Sequence, residues 1–133
     1  MPEVYPPDDP REWLRRARGD LAWAKQPKPP VTPWENPCFA AQQAAEKAIK
    51  AVFLHQEKTF PYTHDIEQLL SLLVKAGVVV PANLLEADRL TGYAMGARYP
   101  SDEEPATEHD FREAMALAER VVAWAEKLIG GEK

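Results

Sequence analysis

The sequence predicts an all-α fold: an antiparallel helical bundle of about five helices, with a four-helix up-and-down core and no sheet. Three observations carry that expectation. Apolar residues recur at three- and four-residue spacing through each long segment. Prolines and glycines punctuate the short stretches between those segments. The one run with strand character, Val78-Val79-Val80, is three residues long and meets Pro81, so it reads as a packed loop.

Each element follows in order. Residues 1–8 read as a flexible N-terminal tail. The first helix begins at Asp9, with Pro10 at its first position and Trp13, Leu14, Ala17, Leu21 and Ala24 on one face. The loop KQPKPPVTPW carries four prolines and stops it. A second helix is expected after Asn36-Pro37, a cap residue followed by a proline suited to the first turn. Its core face is Ala41, Ala44, Ala45, Ala48, Ile49 and Val52, with Phe53 alongside. A third helix is expected from Thr63, with Asp65 in its first turn and Ile66, Leu69, Leu70, Leu73 and Val74 on its apolar side. Gly77 ends it. Pro81 opens a fourth helix through Leu84, Leu85, Ala87, Leu90 and Tyr93 to about Arg98, with Gly92 and Gly96 inside it. Thr107 and Asp110 form a capping-box pattern at the start of the last helix. Phe111, Ala114, Met115, Ala118, Val121, Val122, Ala125, Leu128 and Ile129 then run to Gly130-Gly131, with Trp124 at the border of the stripe.

The totals exclude several functional classes. A chain of 133 residues is one ordinary domain, 1–133, large enough to bury roughly two thirds of its unfolded surface. A single cysteine, Cys38, allows no internal disulfide and fits a reducing compartment. No apolar run approaches the length of a membrane span, and MPEVYPPDDP lacks the basic-then-apolar pattern of a signal peptide. A cytoplasmic protein without a membrane partner is expected. Net charge is -5. Residues 1–100 balance 12 basic against 12 acidic side chains, whereas 101–133 hold 4 against 9, so the last third supplies the whole excess. Wholesale phosphate-driven nucleic-acid binding needs a strongly basic face, so no DNA partner is expected, while Arg11, Arg15, Arg16 and Arg18 allow a small local basic patch.

Chemistry-bearing residues are few. His55, His64 and His109 have no zinc spacing among themselves or with Cys38, so neither a metal nor another cofactor is expected. Cys38 falls in the first turn of a helix, which favours a lowered pKa, yet a lone cysteine is more often a small buried apolar residue. His64, in YTHD, reads either as a base or as a ring that hydrogen-bonds a neighbouring helix. Glu46 and Lys47 border the alanine face; they read either as a solvated edge or, for Glu46 with Gln42 at i, i+4, as a polar seam. Arg98 ends a helix before Tyr99-Pro100, where its fork can hold a phosphate and Tyr99 can stack on a base. His109 sits in the first turn of the last helix, where the dipole disfavours the imidazolium and leaves a ring able to accept a proton. Asp102, Glu103, Glu104 and Glu108 crowd the same stretch; they repel a phosphate or pair with Arg98.

Together, WLRRARGDLAWA, CFAAQQAAEKAIKAVFLHQ, YTHDIEQLL and LTGYAMGARYPSDE resemble the HEPN family (higher eukaryotes and prokaryotes nucleotide-binding domain) in its small stand-alone prokaryotic form. The resemblance implies an antiparallel bundle, a homodimer, and a small nucleotidyltransferase partner in a toxin–antitoxin pair. In the family's active ribonucleases an arginine is followed by a histidine after four to six residues, and two protomers share one composite site. Arg98 matches the arginine. Residues 103–105 are Glu, Glu and Pro, and His109 follows after ten intervening residues. The first expectation is therefore a nucleotide- or partner-binding module using Arg98, Tyr99, Tyr93, Glu46 and His64. The second is a metal-independent endoribonuclease acting on RNA, with Arg98 on the phosphate and His109 as the base. The third is a purely structural helical protein.

Overall fold

One helix is buried along most of its length, and the others are arranged around it. In the computed structural model, which describes residues 4–96 and 104–130, α1 spans Pro10–Ala24 and α2 spans Glu35–His55. Helix α3 covers Ile66–Lys75, a 3-10 segment covers Ala82–Gly92, α4 is the single turn Tyr93–Gly96, and α5 runs Glu108–Ile129. There is no strand among the described residues. Helix α2 packs against all of the others. Its alanines explain how: Ala41, Ala44, Ala45, Ala48 and Ala51 are all fully buried, and small side chains let neighbours approach on several sides at once. Ile49, Val52 and Phe53 fill the space that the alanines leave.

The ends of the helices are set by local chemistry. The Asp9 side chain accepts from the Arg11 backbone N–H at 2.8 Å and caps α1, with Pro10 at the first position as expected. The stretch before it folds back on α1: the Tyr5 N–H donates to Glu12 at 3.0 Å, and the Trp13 indole donates to the Pro7 carbonyl at 2.7 Å. Helix α2 starts one residue before Asn36, with Trp34 at the cap position and no side-chain cap. The Trp34 ring packs on Phe111 with centroids 5.3 Å apart, so packing fixes the entry, and Pro37 falls in a turn whose N–H groups lack helical partners anyway. Helix α3 starts at Ile66 rather than Thr63, because Asp65 itself is the cap, accepting from the Gln68 N–H. The Thr91 hydroxyl satisfies a second terminal donor, the Ile66 N–H, at 3.1 Å. Gly77 ends the helix at φ +94, a left-handed conformation that favours glycine. Both halves of the Thr107–Asp110 capping box form at the start of α5.

Two expectations are corrected. Residues 82–92 wind as a 3-10 helix rather than an α-helix. The buried residues there are Leu84, Ala87 and Leu90, spaced by three, and half-buried Tyr93 continues the series. A three-residue turn places all four on one face, whereas an α-helix would rotate them apart. Leu85, expected on that face, is consequently half exposed. Val74 likewise sits at the outer edge of α3, 51% exposed, while Ile66, Leu69, Leu70 and Leu73 are buried. The core face of α5 holds the expected Ala114, Met115, Ala118, Val121, Val122 and Ala125, and adds Leu117.

The packing predicts a sharp contrast between two aliphatic positions. Ile49→Ala, at a site with no exposure, should cost about 2–5 kcal/mol in urea unfolding. Val79→Ala, at a site 83% exposed, should stay within about 0.5 kcal/mol. Equal costs at the two positions would contradict this core assignment.

Candidate functional site

Three of the four buried polar side chains among the described residues lie on one row of α2, Gln42, Glu46 and Lys50 at i, i+4 and i+8. All three are buried, at 0%, 5% and 6% exposure. Gln42 Nε2 donates to Glu46 Oε1 at 2.7 Å, and Lys50 Nζ donates to Glu46 Oε2 at 2.7 Å. Gln43 Nε2 donates in turn to Gln42 Oε1 at 2.7 Å. From outside the helix, His64 Nδ1 lies 3.0 and 3.1 Å from the two Glu46 oxygens. Burial pushes the Glu46 carboxyl up, but the Lys50, His64 and Gln42 donors together outweigh it and hold the group below its ordinary range. Lys50 also sits 5.1 Å from the centre of the Phe60 ring. Phe60 in turn packs edge-on against Trp13 and Phe53.

Sequence reasoning placed the Gln42–Glu46 seam but missed Lys50, and it left open a solvated edge for Glu46 that burial rules out. The missed signal was the spacing: a glutamate four residues before a lysine is the favoured order for a helical ion pair. Lys47, one residue round the helix, pairs instead with Asp20 of α1 at 2.7 Å. The arginines of α1 also anchor a carboxylate that the sequence did not single out. Glu12 is 3% exposed and accepts from Arg15 at 2.7 Å and Arg16 at 2.8 Å, which hold it far below the usual carboxylate range.

The remaining candidates separate. Arg98 and Tyr99 lie outside the described residues. His109 stands at the start of α5 with its side chain 77% exposed, and its Nε2 is 3.4 Å from Glu113 on the next turn. Tyr93 is half-buried and hydrogen-bonds Cys38; burial pushes its hydroxyl up to about 12, with the neighbouring Cys38, Asp110 and Glu113 adding to the shift. Cys38 itself has no exposure, and burial raises its thiol to about 12 although the Tyr93 hydrogen bond opposes this. The lowered pKa that its place in the first turn favours is therefore not found: desolvation outweighs the helix dipole. No group of three potential metal ligands occurs among the described residues, and no helix there is long and apolar enough to cross a membrane.

A family model covers most of the chain, and two solved structures superpose on it. The HEPN domain model matches residues 10–128. The crystal structure of TT1696 from Thermus thermophilus superposes with a TM-score of 0.75 at 35% identity, covering 89% of this chain and 96% of that one. The crystal structure of ST0689, an archaeal HEPN homologue, superposes with a TM-score of 0.71 at 28% identity, covering 91% and 98%. No curated relative matches the chain.

The buried groups set two measurable behaviours. Cys38 should not react with a thiol–disulfide exchange reagent in the native protein and should titrate as one thiol after unfolding; rapid native reaction would contradict its burial. Because the folded Glu46 pKa lies below its ordinary value of 4.5, its contribution to stability is complete above that pH and is lost as pH falls through the folded value. The gap in unfolding free energy between wild type and Glu46→Gln should therefore be widest above about pH 4.5 and narrow at more acid pH. A gap independent of pH would contradict the assignment.

Proposed function

This chain belongs to the HEPN family, and from that premise we propose that it is a cytoplasmic nucleotide- or partner-binding module rather than an enzyme. In this reading it forms a homodimer and acts with a small nucleotidyltransferase in a toxin–antitoxin-like pair. The observation that carries the proposal is the kind of polar group the bundle builds. Its one cluster of buried charge on α2, Gln42–Glu46–Lys50, leads to the surface through His64, whose side chain is 51% exposed. That arrangement gives a fixed hydrogen-bonding group at the surface, which suits recognition. Arg98 supplies a phosphate fork, and Tyr99 a further contact, in the same proposal.

The runner-up, a metal-independent endoribonuclease, needs His109 as its base and Arg98 on the phosphate. His109 faces solvent beside Glu113, and Glu108 one residue earlier pairs with Arg112 at 2.6 Å. This acidic helix start disfavours an approaching phosphate backbone. The binding reading therefore stands first.

The test is binding, followed by cleavage. Calorimetry with nucleoside triphosphates should detect a complex, and tagged protein should retain a nucleotidyltransferase from its native lysate; failure of both would reject the proposal. Structured RNA incubated with the protein in EDTA should stay intact. Cleavage that both Arg98→Ala and His109→Ala abolish would put the ribonuclease in its place.

A further inference from the structure

Stability alone does not account for Glu46 and Lys50. A buried ion pair is often no better for stability than apolar side chains of the same volume, because desolvation offsets the attraction. What the cluster does set is the state of one imidazole. An ionised carboxylate only accepts hydrogen bonds, so the His64 nitrogen facing it, Nδ1, carries the proton. In the neutral ring the other nitrogen, Nε2, then presents a lone pair. Gln42 and Lys50 fix the carboxylate, and the carboxylate fixes the ring.

The short segment that carries this ring into α3 also carries an exposed aromatic. Tyr62, two residues before His64, is fully exposed at 103%. It sits at a bend after Pro61, where the Thr63 N–H donates to the Pro61 carbonyl at 3.0 Å. Phe60 anchors the segment from the other side, against Trp13 and Phe53. The nearby Asp65 carboxylate is committed to the Gln68 N–H, and Glu46 is neutralised by Lys50.

We propose that the Tyr62–His64 corner is a nucleobase site: the base stacks on Tyr62 and donates a ring or exocyclic N–H to His64 Nε2. Glu46 is a positioning residue that sets the tautomer. The proposal rests on the nucleotide-binding reading and locates the base on the segment between α2 and α3.

The test uses the full chain and ATP, GTP, CTP and UTP in turn. Calorimetry should find at least one of them bound by the wild type, and Tyr62→Ala and His64→Ala should each weaken that binding by roughly tenfold or more. Long-range proton–nitrogen NMR of the wild type should show Nδ1 protonated and Nε2 bare, with the bound nucleotide shifting Nε2 and leaving Nδ1 in place. This second readout does not depend on any variant folding. If a nucleotide binds but both variants bind it equally well, the corner is overturned while the nucleotide-binding reading stands. If none of the four binds, both fall together. A His64 ring protonated at Nε2 and bare at Nδ1 overturns the positioning argument.

Discussion

A carboxylate inside an alanine-lined helix is the constraint on which the rest of this bundle turns. Glu46 cannot sit at 5% exposure unless its oxygens are supplied with donors, and those donors come from three directions. Gln42 and Lys50 supply them from the same helix, one turn before and one turn after. His64 supplies the third from the segment that leads into α3. The chain between His55 and Ile66 is thereby tied back to the middle of α2, and the apolar row Ile66, Leu69, Leu70 and Leu73 begins immediately after that tie. No buried side-chain nitrogen or oxygen is left without a hydrogen bond among the described residues, so the cost of burying this charge is met locally.

The same helix sets the outer architecture. Its alanines admit α1 and α5 closely, and the contacts between those two are polar at the rim: Arg18 pairs with Glu126, and Lys25 pairs with Glu119 at 2.9 Å. Such exposed pairs contribute little to stability. They orient helices that the apolar core already holds. At the other end, the Glu35 side chain accepts from the Ala106 N–H at 2.9 Å, which ties the approach to α5 to the first turn of α2.

Most of the fold was legible in the sequence because helical periodicity and end signals agree along most of the chain. The Asp9–Pro10 start, the Gly77 stop and the Thr107–Asp110 box each rest on local chemistry that a few residues determine. Residues 82–92 are ambiguous in sequence for a physical reason: two or three apolar residues spaced by three fit an α-helical face, and the 3-10 winding shows only in the full row to Tyr93 and in the exposure of Leu85. The site was less legible. Gln42 and Glu46 could be paired from spacing, but whether that row faces water or the core depends on which neighbours cover it. The His64–Glu46 contact joins residues 18 apart, and no local rule brings them together. Cys38 shows the same limit, since its position in a first turn argues for a reactive thiol and its burial argues more strongly against one.

The central claim is that Glu46 and Lys50 act as one buried unit rather than as two independent side chains. A double-mutant cycle with Glu46→Gln, Lys50→Met and the combination, followed by urea unfolding near neutral pH, measures this most directly. Each single change should cost several kcal/mol, about 3–5, because it strands a buried partner. The double variant should recover at least about 1 kcal/mol of the summed cost. Costs that add to within about 0.3 kcal/mol would contradict the account.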